Sequence, residues 1–326
     1  MAQYEIQDIV PYSDVYYVGC FYLPFFTAVR NLKGSVFSFI TDNSYIYRLE
    51  QTDGGLSLDI ENRETRSFSQ ITEDNGISYE FKLGYCEGIN DIIIDALLRG
   101  HVIILPIDGF YYKHPYHDLF YLKEHHSHHI LIYGFDSERE MFKTVEVDGF
   151  QWNTKGFCYK HEISFKNLIA CHQGICEYFK ENPMPSLVQL SKKDPNKIVN
   201  DDPHFYKDIM IHNLKTHKND ILEGLQNIKT LADNIEQFNI SKTACFNNKV
   251  ASVANEYKIK KVLGEEGASI PLLKDIVDSW IVIESLIYKS EFAGIKNKNV
   301  FCSSLRRLYE LESQFYNCLF STFEIA

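Results

Sequence analysis

YLKEHHSHHILIYGFDSEREMFKTVEVDGF, residues 121–150, crowds four histidines into positions 125–129, directly ahead of an apolar run. HHILIYGFD reads as a strand that ends at Gly134 and Asp136. KTVEVDGF alternates polar and apolar residues from Lys143 to Val147, the pattern of a half-buried strand. Ser137–Glu140 supplies a turn between them, so an antiparallel hairpin is expected. Imidazoles at the opening of a strand admit three readings: a metal cluster, a solvated turn, or a general base presented at the sheet entrance. The metal reading is the weakest, because the ligands are all local and no second cluster completes a tetrahedron. No metal is expected.

Outward from this hairpin, the first half of the chain is rich in Gly, Tyr, Phe and short strand-like runs. GHVIILPIDGFYY is one such run. CFYLPFFTAVRNLKG reads as a helix ending at Gly34. EGINDIIIDALLRG reads as another, with Ile89, Ile92, Ile93, Ala96 and Leu97 on its apolar side and Gly100 closing it. ENPMPSLVQLSKKDPNKIVNDDPH, with its prolines, lysines and aspartates, looks like a boundary or an irregular excursion. After it the spacing becomes helical, and four amphipathic helices are expected, as a bundle-like domain or a helical layer. The fold class expected is α+β, with one domain over 1–185 and a helical domain over 186–326.

The chain has 326 residues, which suits two domains. Hydrophobic residues make up 45%, enough for packed cores rather than disorder. A net charge of −11 argues against nucleic acid as a partner, since phosphate binding needs clustered Lys and Arg. The sequence from Met1 lacks the basic start and apolar core of a signal peptide, and no stretch approaches the ~20 apolar residues of a membrane helix. A cytoplasmic protein without a membrane partner is therefore expected. Its eight cysteines, without a C-x-x-C pair, are expected to be free thiols.

Cys20 follows Gly19 at the expected start of the first helix. A helix N-terminus offers unpaired amides and the positive end of the backbone dipole, so a lowered thiol pKa is expected there. The Cys20 amide is also a candidate oxyanion donor. A thiolate nucleophile needs a base and a third group that orients the base. His129 directly precedes ILIYGFD and is the expected base, with His125 and His128 as alternatives. The hairpin returns Asp148 toward the start of the first strand, so Asp148 is the expected orienting carboxylate, whereas Asp136 is a turn residue. Cysteine, then histidine about a hundred residues later, then a carboxylate, is the chain order of papain-like folds.

With Cys20, HHILIYGFD and VEVDGF in that order, the chain resembles the family defined by the N-terminal domain of butirosin biosynthesis protein H. GHVIILPIDGFYYKHPYHDLFYLKEHHSHHILIYGFD carries most of the likeness, which covers residues 11–170. The resemblance implies a papain-like fold used for acyl transfer rather than proteolysis. It implies an acyl group taken by Cys20 from the phosphopantetheine thioester of an acyl or peptidyl carrier protein. A small amine or diamine then attacks the acyl-enzyme, and no bound cofactor is needed. Papain-like enzymes usually carry a glutamine about six residues before the cysteine, and Asp14 stands there. A carboxylate cannot donate to an oxyanion. Either Ser13, Tyr16 or Tyr17 donates instead, or Asp14 holds the amine, or it is a turn cap. Asp108 is a candidate partner for a cationic amine. Tyr112, in the loop Phe110–Phe120, is a candidate wall of an acyl channel. Asp14, Tyr17, Asp108, Tyr112 and His125 form the candidate substrate-binding set. A cysteine peptidase and a non-catalytic binding protein with a degenerate papain-like domain are the rival readings.

Overall fold

A computed structural model describes residues 3–15, 19–52, 55–84, 87–113, 120–148, 157–179, 185–237, 241–264, 269–293 and 297–325. The first half contains β1 (Gln3–Glu5), α1 (Tyr22–Asn31), α2 (Phe37–Ile40), β2 (Ser44–Thr52), β3 (Gly55–Arg63), α3 (Phe68–Asp74) and β4 (Ile77–Leu83). It continues through α4 (Ile89–Leu98), β5 (Val102–Asp108), β6 (Ser127–Asp136), β7 (Met141–Asp148), β8 (Phe157–Ser164), α5 (Phe165–Tyr178) and β9 (Pro185–Lys192). Then come α6 (Lys207–Thr216), α7 (Lys218–Asp233), α8 (Lys242–Leu263), α9 (Ile270–Ala293) and α10 (Lys298–Thr322). The architecture is mixed α/β, with an antiparallel sheet and helices.

The chain divides into two units, Met1–Val36 with Phe68–Asn200, and Phe37–Ser67 with Asp201–Ala326. The first unit carries a seven-stranded sheet in the order β4-β9-β5-β6-β7-β8, with β1 paired to β6 off this path. The β6–β7 hairpin forms as its pattern predicts, with Asp136 Oδ1 accepting from the Glu138 and Arg139 amides at the turn, both at 3.1 Å. Ile103, Leu105 and Ile107 of β5 and Ile130 and Ile132 of β6 pack on Ile93 and Leu97 of α4 and Leu168 of α5. Residues between these point to the opposite sheet face, where α1 packs against β5, β6 and β7. Helix α1 tolerates Pro24 because its third position has no intrahelical acceptor for an N–H. It ends where expected, with the Gly34 amide donating to Val29 O at 2.8 Å.

Three expectations are corrected here. The stretch 181–204 does contain the boundary between the units, at Asn200/Asp201, but it is not irregular throughout. Its residues 185–192 form β9, which pairs with β4 on one side and β5 on the other. Leu187 and Leu190 are fully buried, and that burial outweighs the flanking prolines and lysines. The division at 185/186 also fails, because β2 and β3 belong with the helices. Ile46 and Leu58 are wholly buried among Ile221, Leu225, Trp280 and Phe315. A two-stranded sheet leaves its outer carbonyls open. Here Asn227 Nδ2 donates to Tyr47 O, and Asn248 Nδ2 donates to Leu58 O, both at 2.9 Å. Five helices after residue 200, not four, are present among the described residues, because the expected first helix breaks at His217 into α6 and α7. Among the described residues no helix is long and apolar enough to cross a membrane.

Trp280 has no exposed surface, and its indole N–H donates to the Tyr47 hydroxyl at 3.3 Å. Trp280→Ala is expected to cost about 3–5 kcal/mol. Hydrogen exchange should then accelerate in β2 and β3 together with α7 and α9, and less in β5.

Candidate active site

Gly19 has φ +89°, a conformation open to glycine without strain, and it turns the chain into α1. Cys20 and Phe21 follow, and the helix begins at Tyr22. On the sheet, His129 alternates with Ile130, so its ring lies on the α1 face rather than on the face of α4 and α5. Cys20 Sγ stands 3.2 Å from His129 Nδ1 and 4.0 Å from Ser127 O. Where the thiol donates, Nδ1 accepts its proton and the ring hydrogen sits on Nε2. The Phe21 ring packs edge-on against the imidazole, with centroids 5.5 Å apart at 82°, and stacks in turn on Phe25.

The expected lowering of the thiol pKa is overturned. Burial pushes Cys20 up to about 11, against a smaller opposing pull from its own amide and that of His129. Cys20 sits one residue before the helix cap, and desolvation outweighs the dipole there. Burial also takes His129 down to about 4. Both shifts disfavour the charged form of their group, so burial works against a resting thiolate–imidazolium pair.

The other three histidines separate. His125 Nδ1 donates to Asp108 Oδ2 at 2.6 Å. The His126 ring stacks on Phe120 at 4.0 Å. His128 Nε2 lies 3.9 Å from Glu146 Oε2. Alternation along β6 explains the parting of His128 from His129. Glu146 is fully buried and accepts from the Tyr112 hydroxyl at 2.5 Å. Its inward phase with Phe142 and Thr144 on β7 was the available sequence signal.

The remaining candidates divide in the same way. Asp14 forms a salt bridge with Arg30 of α1, and Arg30 also lies over the Tyr12 ring. Its carboxylate is thereby engaged within unit 1, a role that sequence alone left open. Asp108 has no exposed surface. Besides His125, it accepts from the Phe110 amide at 3.0 Å and the His126 amide at 3.3 Å, which leaves no open side for a cationic amine. Tyr112 is buried and bound to Glu146, so it is a core residue rather than a channel wall. Tyr17, Tyr16 and loop residues 114–119 lie outside the described residues, as does the side chain of Asp148. Asp148 pairs with Phe157 in the ladder. The β6–β7 ladder runs to Ile130↔Glu146, short of both His129 and Asp148.

No protein-family model matches the chain, and no curated protein matches it.

Burial that disfavours both charges predicts a steep pH dependence for alkylation of Cys20 by iodoacetamide. The rate should climb from pH 7 toward 11 as the thiolate forms, whereas an ion pair would hold it level across the neutral range. Gly174 of α5 supplies a second test. A Cβ there would meet Asp108 Oδ2 at 2.5 Å and the Tyr111 ring at 2.7 Å. An exposed mid-helix Gly→Ala change gains about 1 kcal/mol. Gly174→Ala should instead lower the melting temperature and shift the His125 ring resonances in NMR spectra.

Proposed function

We propose that this chain is a cysteine-dependent acyltransferase with a papain-like catalytic unit. It moves an acyl group from a carrier-protein thioester through acyl-Cys20 to an amine. The observation that carries this reading is the 3.2 Å approach of Cys20 Sγ to His129 Nδ1, between residues 109 apart in the chain. A half-buried cysteine beside a neutral imidazole is equipped for nucleophilic attack with general-base help.

In the first step His129 takes the Cys20 proton as sulfur attacks the thioester carbonyl. The new C–S bond forms, the old one breaks, and the departing phosphopantetheine thiolate receives that proton. In the second step the amine nitrogen attacks the acyl-Cys20 carbonyl. His129 carries a proton from nitrogen to the departing Cys20 sulfur. Exchange of one thioester for another is nearly balanced in energy, so amide formation supplies the drive. Aminolysis prevails over hydrolysis where water is kept from the acyl carbon. The Phe21 ring, against His129 and stacked on Phe25, supports that exclusion.

The test is intact-mass analysis after incubation with acyl-phosphopantetheine carrier. Wild type should gain one acyl adduct, discharged by amine and scarcely by water. Cys20→Ala should gain none. His129→Ala should load about 100-fold more slowly. Loading of Cys20→Ala at the wild-type rate would sink the proposal, and adduct discharge by water as fast as by amine would favour a peptidase instead.

A further inference from the structure

A ridge of aromatic rings runs from the Cys20–His129 pair to the edge of the sheet. The Phe21 ring, next in the chain after Cys20, has its centroid 5.5 Å from that of His129. Phe68 of α3 lies 6.4 Å from Phe21, Tyr79 of β4 lies 5.3 Å from Phe68, and Phe81 lies 6.5 Å from Tyr79. Phe25 of α1 has no exposed surface and packs against both Phe21 and Phe68, at 5.4 and 5.1 Å. The strand registers put both ends of the ridge on one sheet face. His129 is opposite Pro106 of β5, and Ile104, two positions away on β5, is opposite Val188 of β9. Val188 is in turn opposite Phe81, and Leu190 is opposite Tyr79. Side chains alternate along a strand, so Tyr79 and Phe81 share the face of His129. Phe21, Phe68 and Tyr79 are partly buried, whereas Phe81 is 54% exposed and Leu83 59%. The ridge therefore opens with distance from the thiol. Strand β4 ends its sheet, and exposed apolar side chains on an end strand are a liability unless something covers them.

We propose that the chain of the transferred acyl group lies along this ridge, so that the donor is a thioester of a long apolar acid. This rests on the acyl-transfer reading given above. The acyl carbonyl has to meet Cys20 Sγ, and Phe21 is both the next residue and the ring against His129. A chain leaving that carbonyl along Phe21 passes to Phe68, Tyr79 and Phe81 in turn, and none of these side chains is charged. Hydrocarbon laid on such rings needs no polar partner and gains from leaving water. Each methylene fully withdrawn is worth roughly fourfold in binding. The continuity of the ridge with the reacting sulfur is what favours the acyl chain as its occupant over a separate protein. Phe81, and Tyr79 beneath it in the series, then act as specificity-determining residues for chain length.

The experiment compares acetyl-phosphopantetheine with dodecanoyl-phosphopantetheine, both free of carrier protein, and follows loading of Cys20 by intact mass. Wild type should load dodecanoyl with a kcat/KM about 100-fold above that for acetyl. Phe81→Ser should reduce that ratio about tenfold, mostly through KM. Its exposed position should leave the melting transition native. Tyr79→Ser, checked in the same way, should reduce the ratio as well. Leu98→Ser removes an apolar side chain, 46% exposed, from α4 on the opposite sheet face, and should keep the wild-type ratio. Equal loading of the two chains by wild type overturns the proposal and leaves acyl transfer standing. A Phe81→Ser variant that slows both chains alike, or keeps the wild-type ratio, overturns it too. A wild type that acquires no adduct from either thioester defeats the acyl-transfer reading itself, and this one with it.

Discussion

The Cys20–His129 contact depends on one strand phase. Because side chains alternate along β6, His129 faces α1 while Ile130 and Ile132 face α4 and α5. A slip of one residue would put His128 beside the thiol and turn the apolar set toward the wrong helices. The register is held by pairing on both sides, with β5 from Ser127 to Ile132 and with β7 from Ile130 onward. The packing of the hydrophobic core and the position of the His129 ring are therefore fixed by the same hydrogen-bonded ladder.

Burial at that contact sets its chemistry. Taking a thiol and an imidazole out of water penalises both charged forms, so the sulfur resists losing its proton and the ring resists gaining one. A helix start alone would have favoured thiolate. Here the cysteine precedes the cap, and the Phe21, Phe25 and Phe68 rings crowd the approach. Proton transfer in such a dyad has to be coupled to attack on substrate.

Polar groups on the other side of the sheet follow a related logic. Asp108 and Glu146 are both fully buried; Asp108 is held by His125 and two amides, and Oε1 of Glu146 accepts from the Tyr112 hydroxyl. Such groups are costly when any partner is lost, so they restrict the local backbone to one arrangement. Helix α5 bears part of that cost at Gly174, where a side chain is omitted to seat the Asp108 carboxylate.

The sequence by itself determined the β6–β7 hairpin, the turn at Asp136 and the existence of α1 and α4 with their closing glycines. Each of these is written in local periodicity, turn residues or capping glycines. It did not determine β9, because PSLVQLSK has the composition of a linker and becomes a strand only between β4 and β5. It did not assign the β2–β3 hairpin to the helical unit, since the partners that satisfy its carbonyls come from helices more than 150 residues away. Asp108, Tyr112 and Asp14 looked like ligand contacts because polar and aromatic residues near a motif look alike in one dimension. Which of them are occupied by their own chain, and whether a thiol beside a helix is solvated or dry, is set by burial and by long-range neighbours, and only tertiary packing supplies those.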